Sequence, residues 1–359
     1  MTSENEWVQE PITIAEHSYF WLGVERTTRP DGNTITTGEQ MYVEYFIPAD
    51  VRHEYPIVFV HGGGGQGLTA LGPGGGRPGW AHYLLHEGYV LYVVDRPGHG
   101  RSPYDPAMLG PYTGPNPYEA VTPMFKVGAK GGRWPGSGEI GDPGIDQFMA
   151  QQGLVIADAA YAARLWQARG ADLLDRIGPA VLVTHSAGGP FGWVVGDARP
   201  ELVKAIVCVE GLGPMLTAIP LTYDPPIAEQ SELELEELPD LPDVEWGLMP
   251  RPPLVVQVEP ARRLANLSQI PIAFVTSEDP KFGLLNHASI AYLRQAGCAV
   301  DDLRLADLGI RGNGHFMLLE TNNREVLQVI LDWLDTRLPQ VPSRRPEPER
   351  QGHLEQPAI

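Results

Sequence analysis

"VLVTHSAGGPFGW", residues 181–193, decides how the chain is read. An apolar run with the character of a buried strand leads into Ser186. Small residues follow, and then an apolar segment with helical character. One reading is a nucleophile on a sharp strand-to-helix turn, where a strained serine needs small neighbours. The other is an ordinary tight connection that happens to contain serine. Measured against the pattern G-x-S-x-G, the five positions are Thr184, His185, Ser186, Ala187 and Gly188, with Gly189 next. The second glycine is present, and threonine stands where the first would be. The motif alone does not decide, so its context must.

Outward from this stretch, short β-branched runs recur: "IVFV" (57–60), "YVLYVV" (89–94), "AVLVT" (180–184), "KAIVCV" (204–209) and "IAFVT" (272–276). Continuous rather than alternating apolar strands imply burial on both faces, hence a parallel sheet covered by helices. "GWAHYLLHEG", "IDQFMAQQGLVIADAAYAARLWQARG" and "REVLQVILDWLDTRL" carry apolar residues at helical spacing between and after them. The alternation predicts a mostly parallel, doubly wound α/β sheet. Before it, "ITIAEHSYFWLGVE" and "GEQMYVEYFIP", with the turn-rich "RPDGN" between, read as an opening antiparallel pair. Residues 1–338 are expected to form one catalytic domain. Two irregular insertions, at about 103–144 and 213–268, would form a lid, since loops of that length in a compact domain are usually functional or disordered. The polar, Pro-rich tail 339–359 reads as disordered.

The formal charge of −19 argues against nucleic acid and anionic membrane as partners. The beginning, "MTSENEWVQE", shows neither a basic nor an apolar leader region, so the expectation is a cytoplasmic protein; a trimmed, exported chain would read the same. Cys208 and Cys298 have no metal-ligand spacing and read as buried small residues. Neither a metal nor a cofactor is expected, and a homodimer is left open.

Three pieces fall at the C-terminal ends of predicted strands, where open α/β sheets bind their ligands. Ser186 is the first. The second is "VFVHGGGGQG", whose glycines bring backbone N–H groups close to a substrate. Acyl transfer needs two such donors aimed at a developing oxyanion. They are assigned to Gly63, or its neighbour Gly64, and to Ala187. A phosphate-binding loop is disfavoured, since the lysine and Ser/Thr of a P-loop are missing. The third piece is His315 in "RGNGHFMLLETNN". Histidine suits a general base, and in the chain order serine, acid, histidine the base comes last. His61, His99 and His185 come too early. The acid is Glu210, at the end of "AIVCVE", or Asp279, after "IAFVTSE". A carboxylate ending an apolar strand needs a partner, which gives Glu210 a modest edge.

The set "HGGGGQG", "DRPGHGRS", "THSAGG", "CVEGLGP" and "GNGHFMLLETNN" resembles the α/β-hydrolase superfamily over roughly residues 40–335. It is most similar to the 713-type bacterial esterases, whose acid is a glutamate after the sixth strand. The resemblance implies Ser186 as nucleophile, His315 as base, Glu210 as acid and a small-molecule ester as substrate. Lactonase, amidase or carbon–carbon bond hydrolase activity on the same scaffold is the alternative, as is a non-catalytic ligand-binding protein. Trp80, Tyr112, Phe125, Trp134, Trp246 and Met249 are candidate pocket residues, with core packing as the competing role for each.

Overall fold

The apolar runs form one eight-stranded sheet in a computed structural model that describes residues 11–339. The tail beyond 339 lies outside the described residues. The strands are β1 (Ile14–Leu22), β2 (Met41–Pro48), β3 (Ile57–Val60), β4 (Leu91–Asp95), β5 (Ala180–His185), β6 (Val203–Val209), β7 (Ile272–Thr276) and β8 (Val300–Arg304). Their spatial order is β1-β2-β4-β3-β5-β6-β7-β8. β1 and β2 pair antiparallel, as do β2 and β4, and all remaining neighbours are parallel. "RPDGN" turns a small separate hairpin, Arg26–Thr28 against Thr34–Thr36, between the first two strands.

Successive side chains of a strand point to opposite faces, and the two cores follow that rule. Leu182, Ile206, Cys208 and Phe274 belong to one buried cluster, while Val181, Val183, Val207 and Val275 belong to the other. Helices α3 (Ala159–Ile177), α4 (Gly189–Ala198) and α5 (Pro280–Gln295) cover the first face; α1 (Trp80–His86) and α6 (Asn323–Arg337) cover the second. Full burial of each large apolar side chain contributes about 1.5–3 kcal/mol, so the doubly covered centre dominates the sheet's stability.

The chain steps from β3 to β4 on one side and later to β5 on the other. The crevice where the order reverses opens at the carboxyl ends of β3 and β5, the general binding position of open α/β sheets. The glycine loop 61–65 and Ser186 both leave the sheet there.

One expected helix divides. The stretch from 145 forms α2 (Pro143–Met149) and α3, with Val155–Ile156 extended between them and paired with Tyr112–Thr113. Asp142 and Asp158 cap the two helices, accepting from the N–H groups of Gly144 and Tyr161.

α3 and α4 touch at Gly170, where a Cβ would stand 2.1 Å from Cγ2 of Val195 and 3.0 Å from the Phe191 ring. Alanine would gain about 1 kcal/mol of helix propensity. Overpacking against a stiff β-branched side chain costs about 1–3 kcal/mol and wins. Gly170→Ala should therefore lower the unfolding free energy, by about 1 kcal/mol, in urea titrations with an unchanged slope. A stabilised variant would contradict this packing.

Candidate active site

β5 is buried along its whole length and delivers Ser186 to its tip. The serine sits at φ 53°, the left-handed region that costs a non-glycine residue about 1–3 kcal/mol. A 3-10 turn, Ser186–Gly188, leads into α4. Neighbours hold the strained turn from two sides. A Cβ on Gly62 would be 2.7 Å from Cβ of Ser186, and one on Gly188 would be 2.6 Å from the His61 carbonyl oxygen. Thr184, in place of a glycine, is fully buried, and its methyl reaches toward α4 at Gly192, where a Cβ would stand 3.0 Å from it. The space that the motif usually leaves on the strand is left on the helix instead.

His315 lies in the loop after β8. Its Nδ1–H donates to Oε2 of Glu210 at 2.9 Å, and its Nε2 is 3.0 Å from Oγ of Ser186. An ionised carboxylate only accepts, so the proton belongs on Nδ1 and Nε2 is left to accept the serine hydroxyl. The ring is stacked on Phe282, with centroids 3.4 Å apart and planes 8° from parallel. Its loop is fixed by Glu320, which accepts from the Gly314 N–H at 2.9 Å and from Nδ2 of Asn313 at 2.6 Å. The Nε2–H of His185 donates to the His315 carbonyl oxygen at 3.1 Å, so this second histidine holds the loop of the first.

Glu210 follows β6 at φ 43° and is completely buried. Its second oxygen accepts from the Ser277 N–H at 2.7 Å. Burial pushes its carboxyl up, and the hydrogen bonds to Ser277 work against that. Asp279 has a different role: it caps α5, accepting from the Lys281 N–H at 3.0 Å, and among the described residues the hydrogen bond to His315 Nδ1 is made by Glu210. Burial, with the charge of Glu210, raises its carboxyl to about 6.

The other early histidines are engaged in bonds of their own. His61 donates through Nδ1 to the Gly62 carbonyl and accepts the Arg96 N–H at Nε2, 3.2 Å away, which props the glycine loop. Burial lowers His61, His99 and His185 well below the usual imidazole range, and Arg96 adds to the effect on the first two.

A cavity of about 70 Å³ opens on Ser186 and His315, lined by Gly62, Gly63, Thr69, Asn116, Val121, Met124, Phe148, Gln152 and Phe316 among others. Gly64 does not line it and gives its carbonyl to the Gly153 N–H at 2.8 Å. None of the six expected pocket residues lines it. Trp80 is core, with its indole N–H on the Asn323 carbonyl. Trp134 is buried against Asp142, and Phe125 stacks behind Phe316 at 4.2 Å. Tyr112 is exposed on its short strand, and Trp246 and Met249 pack on the opposite core cluster. The largest aromatics offer the most apolar area, so they fill cores before they line a small cavity. The lining that was missed, Val121, Met124 and Phe148, comes from residues in and just after the first insertion. No residue of 213–268 contributes to it, so only one of the two expected lid segments borders this cavity.

Residues 55–246 match the family model described as alpha/beta hydrolase fold. Over 315 residues the chain is 35% identical to a protein from a fungal strain (ATCC 74256) named a probable secreted lipase, phiG, across 82% of this chain and 85% of that one. A solved structure described as a novel bacterial esterase aligns with a TM-score of 0.63 at 25% identity, covering 92% of this chain and 98% of its own. The chain belongs to the α/β-hydrolase family. The cytoplasmic location expected above is overturned here, because the fungal relative is named as secreted and so points outside the cell.

Burial and the nearby Lys281 charge both lower the His315 imidazole. Protonation would remove the Nε2 lone pair that faces Oγ of Ser186, and the neutral ring should persist below the usual midpoint of about 6.5. Imidazole nitrogen NMR should place the His315 midpoint below that value, and a midpoint above it would contradict the burial argument.

Proposed function

We propose that this protein hydrolyses carboxylic esters, as a lipase- or esterase-type α/β-hydrolase, through an acyl-enzyme on Ser186. The observation that carries the reading is the continuous hydrogen-bonded chain from Ser186 through His315 to Glu210, at 3.0 and 2.9 Å, beside a glycine loop. The similarity to a named lipase and to a structure described as an esterase supports the reaction class, and the secreted relative supports work outside the cell.

His315 takes the Ser186 proton at Nε2 as Oγ attacks the ester carbonyl, and Glu210 stabilises the imidazolium. The carbonyl π electrons move to oxygen, which the N–H groups of Gly63, or its neighbour Gly64, and of Ala187 receive. Collapse expels the alkoxide, which takes the proton from His315. Water then attacks the acyl-enzyme with His315 again as base, which releases the acid and restores Ser186. Asp279 is assigned the helix cap and no proton transfer.

Ser186→Ala should lower kcat on chromogenic acyl esters by on the order of 10⁵. Glu210→Gln should cost about 10⁴, while Asp279→Asn, which keeps a capping side chain, should stay within about tenfold of wild type. Steady-state assays on the three variants decide the matter. An active serine variant would move the nucleophile, and the reverse ranking of the acids would move that role to Asp279.

The 70 Å³ cavity accepts about five heavy atoms at one water-sized sphere each, a short acyl group. A larger surface groove of about 670 Å³ shares Phe148 as a wall. Acetate or propionate esters should be preferred over octanoate. Phe148→Ala should join the spaces and raise the octanoate-to-acetate ratio of kcat/KM by about tenfold. A flat chain-length profile in both proteins would remove this sizing argument.

A further inference from the structure

Arg96 follows β4 in "DRPGHGRS" and is 1% exposed. The acids around it serve a different cation: Arg101 takes both Asp95 and Glu44. Arg96 appears in none of the ion pairs among the described residues. Its guanidinium lies 4.7 Å from the Trp166 ring centroid and donates to two backbone carbonyls, Ala187 at 3.1 Å and Gly63 at 2.7 Å. Burial lowers the group to about 9, which leaves it a cation at neutral pH. Its imidazole neighbours, His61 and His99, carry no negative charge in either protonation state and cannot compensate it.

A buried charge without a counter-ion is expensive, so its two acceptors call for an explanation. They belong to the two segments assigned above as oxyanion donors. In a planar trans peptide the N–H points away from the C=O. Holding the Gly63 carbonyl fixes the Gly63–Gly64 peptide, and it stops a four-glycine loop, with Gly63 at φ 41°, from flipping beside the cavity. Holding the Ala187 carbonyl fixes the residue after the nucleophile. A buried cation bonded to both segments would also favour negative charge that develops beside them, and that charge appears only in the tetrahedral state.

We propose that Arg96 is a positioning residue of the oxyanion site, clamping the Gly63 and Ala187 peptides and adding an uncompensated positive charge behind them. This rests on the ester-hydrolysis reading above. The test compares wild type, Arg96→Met and Arg96→Lys in three measurements. These are steady-state turnover of an acetate ester, affinity for a short alkyl boronic acid that forms a tetrahedral adduct on Ser186, and thermal unfolding. A folded Arg96→Met should lose about 10²–10³-fold in both kcat and boronic acid affinity, with KM changed by less than about threefold. Arg96→Lys, which keeps the charge but not the fork, should lose about tenfold in both. A role confined to packing would shift the unfolding temperature and leave boronic acid affinity at the wild-type value, and that outcome overturns the proposal. If the methionine variant does not fold, the lysine variant decides alone: a paired loss supports the clamp, and wild-type kcat and affinity overturn it. Wild type without Ser186-dependent turnover would sink the hydrolase reading and this inference with it. Active wild type with unaffected variants sinks this inference alone.

Discussion

Two neighbouring strands each end in a non-glycine residue forced into the left-handed region, and the site depends on that pair. β5 and β6 run parallel with His185 opposite Val209, so Ser186 and Glu210 are the next residue on each strand. Ser186 turns at φ 53° and Glu210 at φ 43°. Such a conformation persists only where the surroundings over-determine it. Here β5 and β6 lie in the doubly covered centre, and the glycine loop after β3 lies against the serine turn too closely for a side chain on Gly62. Since side-chain direction alternates along a strand, a slip of one residue between β5 and β6 would separate serine from glutamate. Sheet register therefore sets the geometry that the histidine bridges.

The bridge works because it is dry. His315 and Glu210 are almost wholly removed from water, which strengthens their mutual attraction and penalises either charge held alone. The same burial forces each participant to be hydrogen-bonded through a second group. Glu210 is met by the Ser277 N–H, and the loop of His315 by Glu320 and His185. Burial raises Glu320 to about 8, against the hydrogen bonds from Gly314 and Asn313 that favour its anion. Polar groups of this kind fix a loop because no nearby water can replace the bond they lose.

The parts of the molecule most legible in the sequence are those whose local pattern and tertiary role agree. The five apolar runs all became central strands, because burial on both faces leaves a continuous signature. Ser186, His315 and Glu210 could be found as strand-end and loop residues in apolar or glycine-rich settings. β8, "VDDLR", went unread because an edge strand can carry charge on its exposed side, and its two aspartates hide the period. α5 went unread too: "PKFGLLNHASIAYLRQ" mixes polar residues such as Asn286 and Ser289 into its buried face, where they bond to Thr276 and Leu285. The break between α2 and α3 depends on long-range pairing, of Gly153 with Gly64 and of Val155–Ile156 with Tyr112–Thr113, which no window of local sequence contains. Cavity lining was least legible, since it depends on which side of a short turn a residue falls.

The two insertions show why length and composition are weak guides to a lid. Both are long, Pro-rich and weakly periodic. The first, with the segment that follows it, supplies Asn116, Val121 and Met124 and then Phe148 and Gln152 to the cavity. The second forms two small strand pairs, Tyr223–Asp224 with Arg263–Leu264 and Leu235–Glu237 with Val255–Gln257. It packs on the core cluster shared with α5, through residues such as Leu233, Leu254 and Leu264. Its acidic residues Glu234, Glu236 and Glu237 face solvent, and none borders the cavity. Charges exposed to water beyond a Debye length of about 8 Å are largely screened at physiological salt. The acidic run therefore adds to the overall field of a −19 chain and supplies no side chain to the cavity wall. The wall of the cavity itself is apolar where Val121, Met124 and Phe148 form it, so under the proposed function its selection would be by volume rather than by charge.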